Sequence, residues 1–140
     1  MIAHETLSPG QEYRIDRLPG RDGFNAFEER PQLSWLSRRT TARLYFRVGA
    51  EPVRGLSLRV YAGPHDYPVD TASFMLNGVA PPLAWRPGGD RWGTVFLGPF
   101  ETAPGINTLE ICTAVRDCAV TPPASDPRSL TFGVSSIRVN

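Results

Sequence analysis

Trp85-Arg86 and Arg91-Trp92 stand on either side of Pro87-Gly88-Gly89-Asp90. An indole can cover the apolar C–H face of a sugar ring, and a guanidinium can donate to the ring's hydroxyls. The intervening residues are turn formers, so the flanking segments return towards each other and the two indoles are expected to lie close together. His65 and Tyr67, in the stretch Gly63-Pro64-His65-Asp66-Tyr67-Pro68, can join from a neighbouring loop. Trp85, Arg86, Arg91, Trp92, His65 and Tyr67 are therefore the candidate carbohydrate-contact set. The plainer reading of either Trp alone is a buried hairpin side chain. A second arrangement uses Tyr45, Arg47, Arg59 and Tyr61, which fall on the polar phase of two alternating segments. Neighbouring strands would make them one tyrosine–arginine platform; otherwise they line solvated sheet faces.

Catalytic chemistry finds little to work with. The two histidines, His4 and His65, belong to no His-x-x-x-His pattern, and no Cys-x-x-Cys occurs, so the common zinc sites have no ligands. Nucleophile-elbow, dinucleotide-fingerprint and phosphate-loop sequences are absent. All 15 basic residues are Arg, which removes any lysine Schiff base. Asp66, Asp70 and Asp90 form no spaced acidic loop of the calcium-binding kind. The expectation is a non-enzyme with no metal and no cofactor. A small glycoside hydrolase using Glu28 and Asp126 is the catalytic alternative, since two carboxylates can meet in space without any local motif.

Charge and apolar runs narrow the partners. With 15 Lys+Arg against 14 Asp+Glu, the net charge of +1 gives no footprint for nucleic acid or an anionic membrane. No apolar run approaches the roughly 18 residues of a membrane span. Cys112 and Cys118 enclose five residues, and that spacing permits a disulfide worth on the order of 2 kcal/mol in the chain-entropy model. Such a pair fits an exported protein, whereas two reduced thiols would fit a cytosolic one. The start of the chain shows no charged n-region and apolar h-region. The expectation is thus a domain of a longer extracytoplasmic protein, whether periplasmic, cell-surface or secreted.

The elements that must position these residues read as strands. The 140 residues suit one domain, 1–140, with residues 1–10 frayed. Fourteen Pro and 13 Gly leave little room for helices. Period-2 alternation marks Thr40–Val48, with Ala42, Leu44, Phe46 and Val48 inward, and Leu56–Tyr61, with Leu56, Leu58 and Val60 inward. Glu12–Arg17, Gln32–Leu36, Ala72–Asn77, Trp92–Leu97, Thr108–Cys112 and Leu130–Val139 bring the expected total to about eight strands. Within the last, the apolar phase slips from Leu130, Phe132 and Val134 to Ile137 and Val139, which predicts a β-bulge at Ser135-Ser136. Turn residues separate the strands throughout, so the fold class expected is an all-β antiparallel sandwich of jelly-roll type.

Three stretches resemble a known module. Gly23-Phe24, Glu28 and Trp35 lead into the strand beginning at Ala42. Phe74-Met75-Leu76-Asn77-Gly78 precedes Trp85 and Trp92, and Asp126-Pro127-Arg128-Ser129-Leu130 precedes Phe132-Gly133-Val134 and Ile137-Arg138-Val139. In order and spacing these are similar to the galactose-binding-like β-sandwiches that accompany bacterial glycosyltransferases and polysaccharide-assembly proteins. The resemblance covers roughly residues 10–140. It implies a galactose-binding-like jelly roll in which an Asn-Gly turn presents a central hairpin strand. It also implies a non-catalytic accessory role in a cell-envelope polysaccharide system, with a polysaccharide or oligosaccharide as ligand and other domains of a parent protein as neighbours. It singles out Glu28, Trp35 and Arg128. They form either a polar pocket at one end of the sandwich or a scaffold, with Trp35 in the core and a Glu28–Arg128 ion pair pinning the first and last strands. A structural or protein-interaction sandwich with no sugar ligand is the remaining alternative.

Overall fold

The computed structural model describes residues 6–18, 20–22, 24, 27–29, 32–37, 41–51, 53–63, 67–113 and 130–140, with the backbone alone at 37 and 130. Among these residues there are eleven strands and two three-residue 3₁₀ turns. The strands are β1 (Glu12–Arg14), β2 (Gly20–Asp22), β3 (Glu28–Glu29), β4 (Gln32–Ser37), β5 (Thr41–Val48), β6 (Leu56–Tyr61), β7 (Ser73–Leu76), β8 (Leu83–Pro87), β9 (Trp92–Leu97), β10 (Gly105–Cys112) and β11 (Leu130–Val139). Every ladder between them is antiparallel. One sheet runs β3-β4-β11-β6-β9-β8, with β1 also on β11; the other runs β2-β5-β10-β7.

The alternating segments bury the expected phase. Ala42, Leu44, Phe46 and Val48 of β5 are at most 2 % exposed, and Leu56, Leu58 and Val60 of β6 at most 1 %. Together with Phe74, Val95, Leu109, Phe132 and Ile137 they form one apolar cluster that draws on both sheets. β11 is the centre of the larger sheet: β6 pairs along one edge, while β4 and then β1 share the other. Its register against β6 shifts between Val134 and Ser136, where the apolar phase of the sequence slips. The extra residue lets Phe132, Val134, Ile137 and Val139 all reach the core. At the sheets' edge, Arg21 Nη1 donates to the buried Ser34 Oγ across 2.8 Å, linking β2 to β4.

Several local expectations are corrected. Eleven strands replace eight because short edge pieces carry too few residues to show a period. β2 falls within Pro19-Gly20-Arg21-Asp22-Gly23, a run of turn-forming residues in the sequence, and β8 makes a strand of Trp85-Arg86, expected in a loop. The segment from Glu12 leaves the extended state after Arg14 and forms a 3₁₀ turn over Ile15–Arg17, which seats Ile15 in the core. Thr6–Gly10 is anchored rather than frayed. Leu7 is 1 % exposed, its N–H donates to the Arg47 carbonyl at 2.8 Å, and the Gly10 N–H donates to the Val139 carbonyl at 2.8 Å. The Asn77-Gly78 turn has φ of +50° and +84°, the sign of a type I′ turn, but closes only a single Leu76–Val79 bridge. β7 then pairs with β10 and the chain crosses to β8 in the other sheet, so no full hairpin is presented there.

Candidate functional site

Gly133 is the pivot of an aromatic row. β11 pairs it with Trp35 of β4 on one side and with Tyr61 of β6 on the other, and Tyr61 pairs in turn with Trp92 of β9. Residues opposite one another in adjacent strands point to the same face. Trp35, Tyr61 and Trp92 therefore cross four strands on the face turned away from the core, where each is half-buried. Glycine leaves room that Leu33 fills: a Cβ at position 133 would lie 2.7 and 2.8 Å from the Leu33 methyls. Leu33 is fully buried although it sits on the outer phase of β4, so the row has an apolar bed. The Trp35 and Tyr61 rings meet edge to face at 5.9 Å, and the Tyr61 and Trp92 rings are tilted at 5.1 Å. The Trp35 indole N–H donates to the Glu28 carboxylate, which sets the indole's orientation.

The next positions along the strands carry charge and hydroxyls. Arg59 pairs with Thr94, and Thr94 with Arg86. The Arg59 guanidinium lies 4.6 Å from the Trp92 ring centre, and that of Arg86 lies 5.0 Å from the ring of Phe96. Ser57, Arg59, Thr94, Phe96, Ser136 and Arg138 border a shallow cleft of about 180 Å³, closed on one side by Glu12. Arg138 faces Glu12 at 4.0 Å, a loose exposed pair.

The residues expected to make the sugar site divide between two places. Tyr67, Trp85, Arg91 and Trp92 line a cavity of about 250 Å³ at the β8–β9 hairpin end, with Pro68 and Pro87. The two indoles do not stack there. Trp85 pairs with buried Val95 and packs on the core side, whereas Trp92 projects from the outer face. The Pro87–Asp90 stretch does reverse the chain. The Trp92 N–H donates to the Gly89 carbonyl at 3.1 Å, and Asp90 and Arg91 have φ of +55° and +67°. That reversal sets Trp85 opposite Val95 rather than opposite Trp92. The Tyr67 hydroxyl is already committed to the Thr113 carbonyl at 2.7 Å, and its ring packs on Phe132. Arg86 lies on the outer face with Arg59. His65 lies outside the described residues, as do Asp66, Asp126, Arg128 and Cys118.

Three further expectations change. Trp35 is not a core residue: the period of β4 puts Ser34 and Leu36 inward and Trp35 outward. Tyr45 and Arg47 do not share a platform with Arg59 and Tyr61, because β5 and β6 belong to different sheets. Glu28 serves the Trp35 indole, and its expected partner Arg128 falls outside the described residues. On the far sheet, Tyr45 instead joins a polar cluster. Its hydroxyl donates to Asp22 at 3.0 Å, while Arg43 stands 3.6 Å from both Asp22 and Glu110. Desolvation, then the hydrogen bond to Asp22, raises the Tyr45 phenol above its ordinary value.

Cys112 is disulfide-bonded. No group of three or more His, Cys, Asp or Glu side chains gathers as a metal centre among the described residues, and no helix among them is long and apolar enough to cross a membrane. Another cavity, of about 590 Å³, lies at the opposite end of the larger sheet between Arg54 and Pro99–Thr102, and none of the expected contact residues lines it. The sequence placed Ser57 outward but did not reveal Trp35, Thr94 and Arg138 as its companions on the outer face. The available signal was Gly133, a side-chain-free position inside a strand whose register shifts on either side of it. The chain matches no protein-family model and no curated protein.

Proposed function

We propose that the chain is a non-catalytic carbohydrate-binding module, and that the outer face of the larger sheet is its binding face. The observation that carries this reading is the Trp35–Tyr61–Trp92 row. Three aromatic rings in one line, half-exposed and held by an apolar bed, supply a surface for sugar C–H faces. Arg59, Ser57 and Thr94 beside them supply the fixed polar groups that select hydroxyls. The two sheets and their common core are consistent with a jelly-roll sandwich of galactose-binding-like type, as the motif resemblance implies. The same resemblance places the module in a bacterial cell-envelope polysaccharide system, and the disulfide at Cys112 favours an oxidising, extracytoplasmic compartment.

The test is retention of the purified protein on a glycan array and on insoluble polysaccharides. Trp92→Ala is expected to lose about thirtyfold or more in affinity, the usual cost of truncating a hot-spot aromatic, with an unchanged circular dichroism spectrum. No retention on any glycan, or retention by Trp92→Ala equal to wild type, sinks the reading. One observation favours a second reading, a protein-interaction module. Val79 is 68 % exposed beside an apolar cavity of about 380 Å³ bordered by Pro81, Pro82 and Phe100.

A further inference from the structure

On the outer face, two guanidinium groups lie on aromatic rings and have no carboxylate partner among the described residues: Arg59 on Trp92 and Arg86 on Phe96. Both are exposed. Stacking engages the flat face of a guanidinium and leaves its N–H donors free along the edge, already oriented. Arg138 adds a third cation at the cleft, opposed among the described residues only by Glu12. The whole chain carries a net charge of only +1, so this local excess of cations is a property of the face and not of the composition. The half-buried hydroxyls of Ser57 and Thr94 stand between the arginines. A neutral sugar would leave the strongest donors of the face with nothing of opposite charge to meet. A carboxylate matches the guanidinium fork in shape and charge.

We infer that the ligand of this face is an acidic glycan, a polymer bearing uronate carboxylates. Arg59 and Arg86 receive the carboxylates on either side of Thr94, and the sugar rings run along Tyr61 and Trp92. The inference rests on the carbohydrate reading above and narrows it to one class of sugar.

Affinity electrophoresis with polygalacturonate, with its carboxyl-reduced neutral counterpart and with polyglutamate separates the cases. Wild-type protein is expected to be retarded by polygalacturonate, less so as salt rises, and at least about tenfold more weakly by the other two polymers. Arg59→Gln and Arg86→Gln should each lower the polygalacturonate affinity by about tenfold or more, the scale of one charge-assisted hydrogen bond, with unchanged melting temperature. Equal binding of the acidic and reduced polymers, or retention on neutral glycans with none on the uronate, overturns the inference and leaves the carbohydrate reading standing. Equal retardation by polyglutamate also overturns it, since charge without a sugar would then suffice. Failure to retain any glycan, acidic or neutral, removes both.

Discussion

Tyr45 shows how one side chain reports its surroundings. Desolvation, which penalises the phenolate, raises its pKa, and so does the hydrogen bond that its phenol donates to Asp22 beside the Arg43 guanidinium. An acid whose folded pKa is raised favours its protonated form in the fold. The stabilisation it lends is complete below the unfolded value of about 10 and is lost as pH climbs through the higher folded value. An ultraviolet titration of tyrosinate should therefore contain a component above the ordinary range that Tyr45→Phe removes. A Tyr45 that ionises at or below its ordinary value would contradict the hydrogen-bonded geometry. The inward phase of this same strand was readable because alternation is a local property. The cluster around Tyr45 was not, since Asp22 reaches Tyr45, and Glu110 reaches Arg43, only through the pairing of β2 and β10 with β5.

At the scale of elements, the connection between β7 and β8 is held by Asn77. Its φ of +50° is one that Asn tolerates and Ala does not. Its side-chain Nδ2 donates to Asn107 Oδ1 at 2.8 Å, and its Oδ1 accepts from the Thr108 N–H at 2.9 Å. Asn77→Ala should cost about 2 kcal/mol or more, from the left-handed backbone and from a buried Asn107 acceptor left unpaired. Asn77→Gly keeps the backbone and loses only the hydrogen bonds, so its denaturant midpoint should fall between wild type and Asn77→Ala. Reversed order would mean that the unfolded-state entropy of glycine outweighs the left-handed strain of alanine at this position. The Asn-Gly signature revealed this turn but not its use. Type I′ chemistry fixes the local reversal, while the choice of sheet for the next strand depends on where β8 can bury Leu83 and Trp85. The aromatic row was hidden for the same reason. Positions 35, 61 and 92 are far apart in the chain, and the pairings of β11 with β4 and β6 and of β6 with β9 bring them into line.

The whole molecule is one cooperative unit if its core is one. Phe46 of the smaller sheet and Leu58 of the larger are 1 % and 0 % exposed and belong to the same apolar cluster. Arg21 reaches Ser34 from one sheet to the other. The β11 strand contributes Phe132 to a stack with Phe74 of the opposite sheet at 6.4 Å. Neither sheet can open without exposing the other's inner face, so partial unfolding gives up apolar burial on both sides. Phe46→Ala should cost about 3–5 kcal/mol and Leu58→Ala about 2–5 kcal/mol, from lost transfer energy and the cavity left behind. Each should shift a single transition, identical by tryptophan fluorescence and far-ultraviolet circular dichroism. All three Trp residues lie on the larger sheet, on β4, β8 and β9, so fluorescence reports that sheet while circular dichroism reports both. Should Phe46→Ala displace the circular dichroism transition and leave the fluorescence transition in place, the two sheets would be separate folding units. The aromatic row would then stand on a sheet stable without its partner.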